Sequence, residues 1–168
     1  IDFLIQKKIG KYSGWLGYTL SEVVHSFQDL TNNPFYALND QRHEFKIVNA
    51  LKAGRWDLGA TWIYGSGKPY TAPKGIYTIK LLDGSETEYV NVGEKNGPRL
   101  APYHRLDLSA TYNFNLGSGK GNMGLSLFNL YNRSNTWYKE FEIIGGEMIE
   151  TNVNYLGFTP SLFFNVSF

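Results

Sequence analysis

The chain has 168 residues, a net charge of +1, 18 glycines and no cysteine, and 16% of its residues are aromatic. The near-zero charge excludes a nucleic-acid partner, which would need a basic excess, and the lack of cysteine excludes a disulfide scaffold and a thiolate metal site. Because aromatic residues and glycine are mediocre or poor helix formers, the composition favours strands joined by glycine turns.

Alternation of apolar and polar residues at every second position predicts an all-β chain, since this period is that of a strand. No apolar run approaches the roughly 20 residues of a membrane helix, but barrel strands alternate and so escape a hydropathy scan. The predicted strands, in chain order, are 1–7, 12–27, 41–52, 55–66, 101–114, 121–131 and 157–168.

The fourth, fifth and last predicted strands alternate most clearly, and none of them has a charge on its apolar face. The apolar rows are Trp56, Leu58, Ala60, Trp62 and Tyr64; Leu106, Leu108, Ala110, Tyr112 and Phe114; and Phe158, Leu162, Phe164, Val166 and Phe168. The opposite rows hold Ser, Thr, Asn and Gly with an occasional Arg or Asp.

Short and long connections alternate along the chain. Tight glycine turns follow the first, third and fifth predicted strands. Long links, at 28–40, 67–100 and 132–156, follow the second, fourth and sixth. In the last link, Gly145 and Gly146 predict the two-residue turn of a small hairpin. Outer-membrane barrels have short turns at one end and long loops at the other, so the pattern predicts an antiparallel up-and-down transmembrane β-barrel.

The polar faces favour a membrane barrel over a small soluble barrel that holds an apolar ligand, which is the alternative interpretation. A water-facing sheet usually carries many Lys and Glu, whereas these faces suit a lumen. The predicted lumen-facing polar residues are Arg55, Asp57, Arg105, Asp107, Ser109 and Thr111. Arg105 and Asp107 lie two apart on one strand and are expected to form a structural ion pair.

Several segments resemble the closing strands of TonB-dependent outer-membrane receptors. These are GWLGYTLS, ATWIYGSGKPYT, PYHRLDLSATYNF at 102–114 and LSLFNLYNR at 125–133. The resemblance implies a bacterial outer-membrane transporter for a metal chelate such as a siderophore, a corrinoid or a glycan. Receptors of this family have a 22-stranded barrel, an N-terminal plug and a TonB box. The chain is therefore expected to be a C-terminal portion of about seven or eight strands, with the TonB box absent.

The last predicted strand resembles the C-terminal assembly signal of outer-membrane proteins, an aromatic final residue preceded by apolar residues at every second position. The matching residues are Phe158, Leu162, Phe164, Val166 and Phe168. The partners that the resemblance implies are membrane lipid, the remainder of the barrel and its plug, the TonB complex and the barrel-assembly machinery.

The long links supply the candidate ligand contacts, because binding residues favour loops. Loop packing is the equal alternative for these aromatic residues, which are Phe35, Tyr36, Tyr70, Tyr77, Trp137 and Tyr138. No nucleophile–base set predicts an enzyme and no cofactor motif is present. The histidines, at 25, 43 and 104, lack the spacing of metal ligands.

Overall fold

The computed structural model describes residues 1–27, 33–117 and 119–168, and its regular elements are strands. The first residues of the predicted link 28–40 and part of the turn at 115–121 thus lie outside the described residues. The strands are β1 (Asp2–Ile9), β2 (Tyr12–Leu20), β3 (Val24–His25), β4 (Phe35–Tyr36), β5 (His43–Ala53), β6 (Trp56–Gly65), β7 (Pro73–Lys80), β8 (Glu86–Val92), β9 (Tyr103–Leu116), β10 (Gly119–Phe128), β11 (Thr136–Ile144), β12 (Glu147–Asn154) and β13 (Thr159–Ser167). In the described residues there is no helix long and apolar enough to cross a membrane.

Seven strands form one antiparallel sheet in the order β1-β2-β5-β6-β9-β10-β13. Each strand pairs with the sheet strand that follows it in the chain, so the sheet is an up-and-down meander. The prediction of an all-β, antiparallel chain is confirmed, and the seven strands of this sheet correspond to the seven predicted ones, with most boundaries within a few residues. The sheet is open in the described residues, because β1 and β13 form its two edges.

The tight turns all lie at one end of the sheet, which we call the turn end. Gly10 and Gly54 have φ of 54° and 64°, and Gly117 has φ of 57°. An L-residue with a side chain rarely adopts this left-handed conformation, so glycine is required for such short connections. The long links leave from the opposite end, which we call the hairpin end.

Each long link contains a two-stranded ribbon. The predicted turn at Gly145 and Gly146 is confirmed: it joins β11 to β12, Ile144 pairs with Glu147, and φ is 62° and 81° at the two glycines. The link 67–100, predicted to be a loop, contains β7 and β8, which pair through a turn around Gly84.

The predicted strand 12–27 is wrong beyond Leu20. Its ladder with β5 ends where Leu20 faces His43, and Val24–His25 instead pairs with Phe35–Tyr36. The bend is fixed by Asp40, whose Oδ1 accepts a hydrogen bond from the backbone N–H of Val23 at 2.7 Å. The apolar residues after Leu20 thus belong to the hairpin end and not to the sheet.

The predicted strand 121–131 also differs, because β10 begins at Gly119 and ends at Phe128. Asn129 and Asn132 both have φ of 51°, a conformation that asparagine tolerates better than most residues. Asn129 is fully buried, and its side-chain amide donates to the carbonyls of Arg133 and Leu156. The segment 129–135 is therefore a built junction that turns the chain out of the sheet.

The molecule has almost no apolar interior. In the described residues Ala37 is the one buried hydrophobic side chain, whereas Asp40, Asn96, Asn129 and Asn135 are buried polar residues of the links. Soluble domains bury many large apolar side chains in one core. Here most of the large apolar residues of the sheet lie on one face, which nothing in the described chain covers.

Candidate functional site: two faces of the sheet and a cleft at the hairpin end

The register sorts the side chains of the sheet onto two faces, because directly paired residues point to the same side. One row runs from Ile47 through Trp62 to Leu106, and a neighbouring row runs from Ala60 through Leu108 to Leu127. We call the side that carries these rows the apolar face and the other side the polar face.

Charge is divided unequally between the two faces. Among the described residues of the seven sheet strands, the apolar face holds one residue of the Asp, Glu, Lys and Arg types, which is Lys7. The polar face carries Asp2, Lys8, Glu44, Lys46, Lys52, Asp57, Arg105, Asp107 and Lys120. The alternation predicted from sequence therefore persists across the whole width of the sheet.

Two rows of rings border the apolar face. The hairpin-end aromatic row comprises Phe3, Tyr18, Phe45, Tyr64, His104 and Tyr131, with successive ring centroids 4.4–6.5 Å apart. The turn-end aromatic row comprises Trp56, Tyr112, Phe114 and Phe164, with centroids 4.9–6.3 Å apart. Between the rows lie mainly Leu, Ile and Ala.

A glycine makes the turn-end aromatic row continuous. A Cβ at Gly121 would lie 2.5 Å from the ring of Phe114, which extends over β10 toward Phe164 on β13. Tyr103 pairs with Gly65 and therefore belongs to the polar face, not to these rows.

Side chains of the polar face bond to one another. Asn113 donates to Asp57 at 2.7 Å, Asn165 to Asn122 at 3.0 Å, and Thr19 to Asp2 at 2.6 Å. Such mutual pairing satisfies polar groups without relying on bulk water.

The ion pair predicted between Arg105 and Asp107 is present, with Nε and Oδ2 3.0 Å apart. Arg105 also donates from Nη1 to the Tyr103 hydroxyl at 2.9 Å, and its guanidinium lies over the Phe128 ring at 4.1 Å. Asp107 in turn accepts from the backbone N–H of Asn129 at 2.9 Å. The pair thus links the polar face to the junction at 129–135.

The other predicted lumen-facing residues are less uniform. Asp57, Ser109 and Thr111 lie on the polar face with Arg105 and Asp107. Arg55 lies in the turn between β5 and β6, outside the strand, and its Nη1 donates to the hydroxyl of Tyr112 at 3.4 Å. Because Tyr112 belongs to the apolar face, Arg55 reaches around the rim of the sheet.

The predicted assembly signal lies along the edge strand β13. Leu162, Phe164 and Val166 lie on the apolar face, whereas Phe158 and Phe168 flank the strand and have no partner in its ladder. Leu162 is 82% exposed and Phe164 is 66% exposed, so this strand packs against little beyond β10.

The six aromatic residues proposed from the long links do not converge on one site. Phe35 packs against Phe27 and His25, with Lys95 over its ring, and Tyr36 lies under Arg99. These contacts are those of loop packing. The remaining four divide as follows: Tyr77 stacks on Tyr89, Tyr70 on Phe141, and Trp137 contacts both Tyr138 and Tyr155.

A cleft of about 270 Å³ opens on the polar face where β6 and β9 meet the long links. Its wall includes Gln41, Glu44, Tyr103, Arg105, Trp137 and Tyr155. Of the six aromatics predicted from sequence, Trp137 alone is in this wall. The ring of Tyr155 lies edge-to-face with that of Tyr103, with centroids 5.6 Å apart, and its centroid is 5.7 Å from that of Trp137. Three rings from separate elements therefore form one side of the cleft.

The sequence did not predict that Gln41, Tyr103 and Tyr155 would line a cleft. Gln41 packs over Gly65, where a Cβ would lie 1.9 Å from Nε2, and donates to the Ser66 carbonyl at 3.0 Å. The absence of a side chain at Gly65, in an otherwise regular strand, was the one signal in the sequence that could have marked a close approach there.

A buried ion pair holds the links beside this cleft. Asp40 is fully buried and pairs with Arg99, which also donates to the Gly67 carbonyl at 3.0 Å. Desolvation acts to raise the pKa of Asp40, but the hydrogen bonds from Arg99 and Val23 and the nearby guanidinium charges lower it overall. The carboxyl therefore stays ionised and ties the link after β2 to the link before β9.

No group of three or more His, Asp or Glu side chains that could hold a metal ion occurs in the described ranges of the chain. Compared with known proteins, the chain matches no protein-family model, no curated protein and no solved structure.

Proposed function

We propose that this chain is a wall segment of a bacterial outer-membrane barrel, of the TonB-dependent receptor class, that takes up a scarce nutrient. The apolar face would meet lipid and the polar face would line the lumen. The siderophore, corrinoid and glycan classes are the candidate cargoes. A plug, the TonB complex and the barrel-assembly machinery would be its partners.

The observation that carries the proposal is the layered pattern of the apolar face: rings, then aliphatic side chains, then rings. From Trp56 to Tyr64 the strand rises about 27 Å at roughly 3.4 Å per residue. A tilt of about 35–45° reduces this to a height of about 20 Å, to which the rings add, and membrane barrels carry an apolar band about 25 Å tall between aromatic girdles.

The polar face supports the same proposal. Its side chains pair with one another, as at Asn113 and Asp57, which suits a confined lumen. A soluble barrel holding an apolar ligand would need the apolar residues to enclose an interior. The described strands form an open sheet with Ala37 as the one buried apolar side chain, so this alternative has less support.

Neighbouring substitutions on opposite faces of β9 test the proposal. Leu108→Arg puts a charge in the middle of the apolar face and, if that face meets lipid, should cost about 2–4 kcal/mol and reduce membrane insertion. Ser109→Arg is the matched control on the exposed polar face and should insert normally. The measurement is the folded, protease-resistant fraction after reconstitution of the complete protein into lipid vesicles.

Equal insertion of the two variants would contradict a lipid-facing assignment of the apolar face. A complete protein that stays monomeric in buffer without detergent would contradict the membrane proposal altogether.

A further inference from the structure

The cleft at the hairpin end combines exposed ring faces with neutral hydrogen-bonding groups. Trp137 is 57% exposed, and its ring contacts the rings of Tyr138 and Tyr155 at centroid distances of 5.1 and 5.7 Å. Thr136, Gln41 and Tyr155 supply a hydroxyl, an amide and a phenol around it. Within the described residues no hydrogen bond uses the Thr136 or Tyr155 hydroxyl, so both are free for a ligand.

The charges in the cleft wall are already compensated. Glu44 pairs with Lys46, and Arg105 pairs with Asp107 and binds the Tyr103 hydroxyl. Lys68, at the rim, is exposed to solvent and therefore screened. The wall thus offers little net attraction for an anionic or cationic ligand, although its carboxylate and guanidinium can still accept and donate hydrogen bonds.

The two ends of the cleft are fixed by separate elements, which keeps its shape. A Cβ at Gly67 would lie 1.7 Å from the Leu100 carbonyl oxygen, so the two ends of the link between β6 and β9 touch directly in the cleft wall. Asn135 exchanges hydrogen bonds with the backbone of His104 at 3.0 and 3.1 Å and so holds the start of β11, and with it Trp137, beside β9. Preorganisation of this kind reduces the entropy cost of binding.

From these features we infer that the cleft binds one or two units of a neutral saccharide. A pyranose ring has an apolar C–H face that packs on an exposed indole or phenol, and hydroxyl groups at its edge that bond to amides, hydroxyls and carboxylates. The 270 Å³ of space suits such a unit and is small for a whole corrinoid or ferric siderophore. This inference rests on the proposed function for its role in uptake and selects the glycan class among its cargoes.

The test uses the complete protein in a detergent without a sugar headgroup. An array of neutral oligosaccharides identifies a binder, and titration calorimetry then compares it with a ferric hydroxamate and cyanocobalamin. Trp137→Ala should weaken saccharide binding by about tenfold or more, because it removes an aromatic ring that the bound sugar would cover. Tyr155→Phe, which keeps the ring and removes the hydroxyl, should weaken it by about threefold to tenfold.

The matched control is Tyr77→Ala, which removes a similarly exposed ring outside the cleft and should leave binding unchanged. Saccharide binding that survives both cleft variants would overturn the site, and Trp137-dependent binding of the hydroxamate or cobalamin would overturn the ligand class. If no array saccharide binds a protein that still inserts into vesicles, the saccharide inference fails while the membrane proposal stands.

Discussion

Three asparagines after β10 show how single side chains direct this chain. Asn129 bonds to Arg133 and Leu156, Asn132 accepts from the N–H of Phe158 at 2.8 Å, and Asn135 bridges to His104. Each amide satisfies backbone groups that the ladder leaves unpaired where the strand ends. The motif FNLYNRSN thus has a structural reason for its repeated asparagine.

Asn129→Ala should destabilise the protein by about 3 kcal/mol. The change leaves the part-buried carbonyls of Arg133 and Leu156 without this donor and puts alanine at φ of 51°. The measurement is the denaturant midpoint of the reconstituted protein. Asn152→Ala, at an exposed position of β12, is the control and should leave the midpoint unchanged; an equal midpoint for both variants would contradict the structural role.

The Asp40–Arg99 pair predicts a pH dependence at the hairpin end. Because the folded-state pKa of Asp40 is lowered, the pair contributes stability that is fully present above the ordinary carboxyl value of 3.8 and lost as pH falls through the lower folded value. Asp40→Asn should therefore be less stable than the wild type at pH 6, and the difference should shrink toward zero at the lowest pH. Denaturant midpoints of both proteins from pH 6 to pH 2 measure this; a constant difference would refute it.

At the scale of elements, strands that lie in the sheet were predictable and ribbons outside it were less so. The strand at 101–114 alternates because its even-numbered residues lie on the apolar face and its odd-numbered residues on the polar face, and β9 follows it closely. Residues of β7 and β8 are largely exposed on both sides, so no alternation marks them. Only turn chemistry, here Asp83-Gly84, could have predicted this hairpin.

The cleft was beyond sequence reasoning for a similar reason. Its walls come from the link before β5, the start of β9 and the β11–β12 ribbon, which are distant in the chain. Trp137 was predicted as an exposed loop aromatic, but nothing in the sequence distinguished it from Tyr77 or Phe35. The distinction arises from which links touch, and buried polar contacts such as Asp40 with Arg99 set that arrangement.

The turn of the β11–β12 ribbon supplies a prediction at this scale. Gly146→Val should cost about 1–2 kcal/mol locally, because a β-branched residue is strained at φ of 81°. Gly145→Asn is the matched control, since Asn-Gly is favoured in this type of turn. Hydrogen exchange of residues 136–154 should accelerate in the first variant and stay unchanged in the second; acceleration in both would contradict the turn assignment.

At the scale of the whole molecule, the direction of the two edge strands decides whether the sheet can close on itself. Seven antiparallel strands in meander order leave β1 and β13 running the same way. Strands that run in parallel cannot extend an antiparallel ladder, so the sheet is not expected to close on itself.

The chain has no cysteine, so introduced pairs can test this directly. Asn122→Cys with Asn165→Cys joins directly paired residues of β10 and β13 and should form a disulfide within one chain. Gln6→Cys with Asn165→Cys joins the two edges and should not. A disulfide within one chain between the edges, seen as a monomer of altered gel mobility, would show that the seven strands form a closed ring.

The common direction of β1 and β13 also sets a parity rule for any ring built around this sheet. A fully antiparallel ring needs an even total, so the complement that bridges the two edges must be odd in number. If identical copies were arranged around a rotation axis parallel to the strands, β13 of one copy would lie parallel to β1 of the next. A ring made only of such copies would therefore not be antiparallel where two copies join. The bridging strands must therefore begin and end with strands that run opposite to β1 and β13.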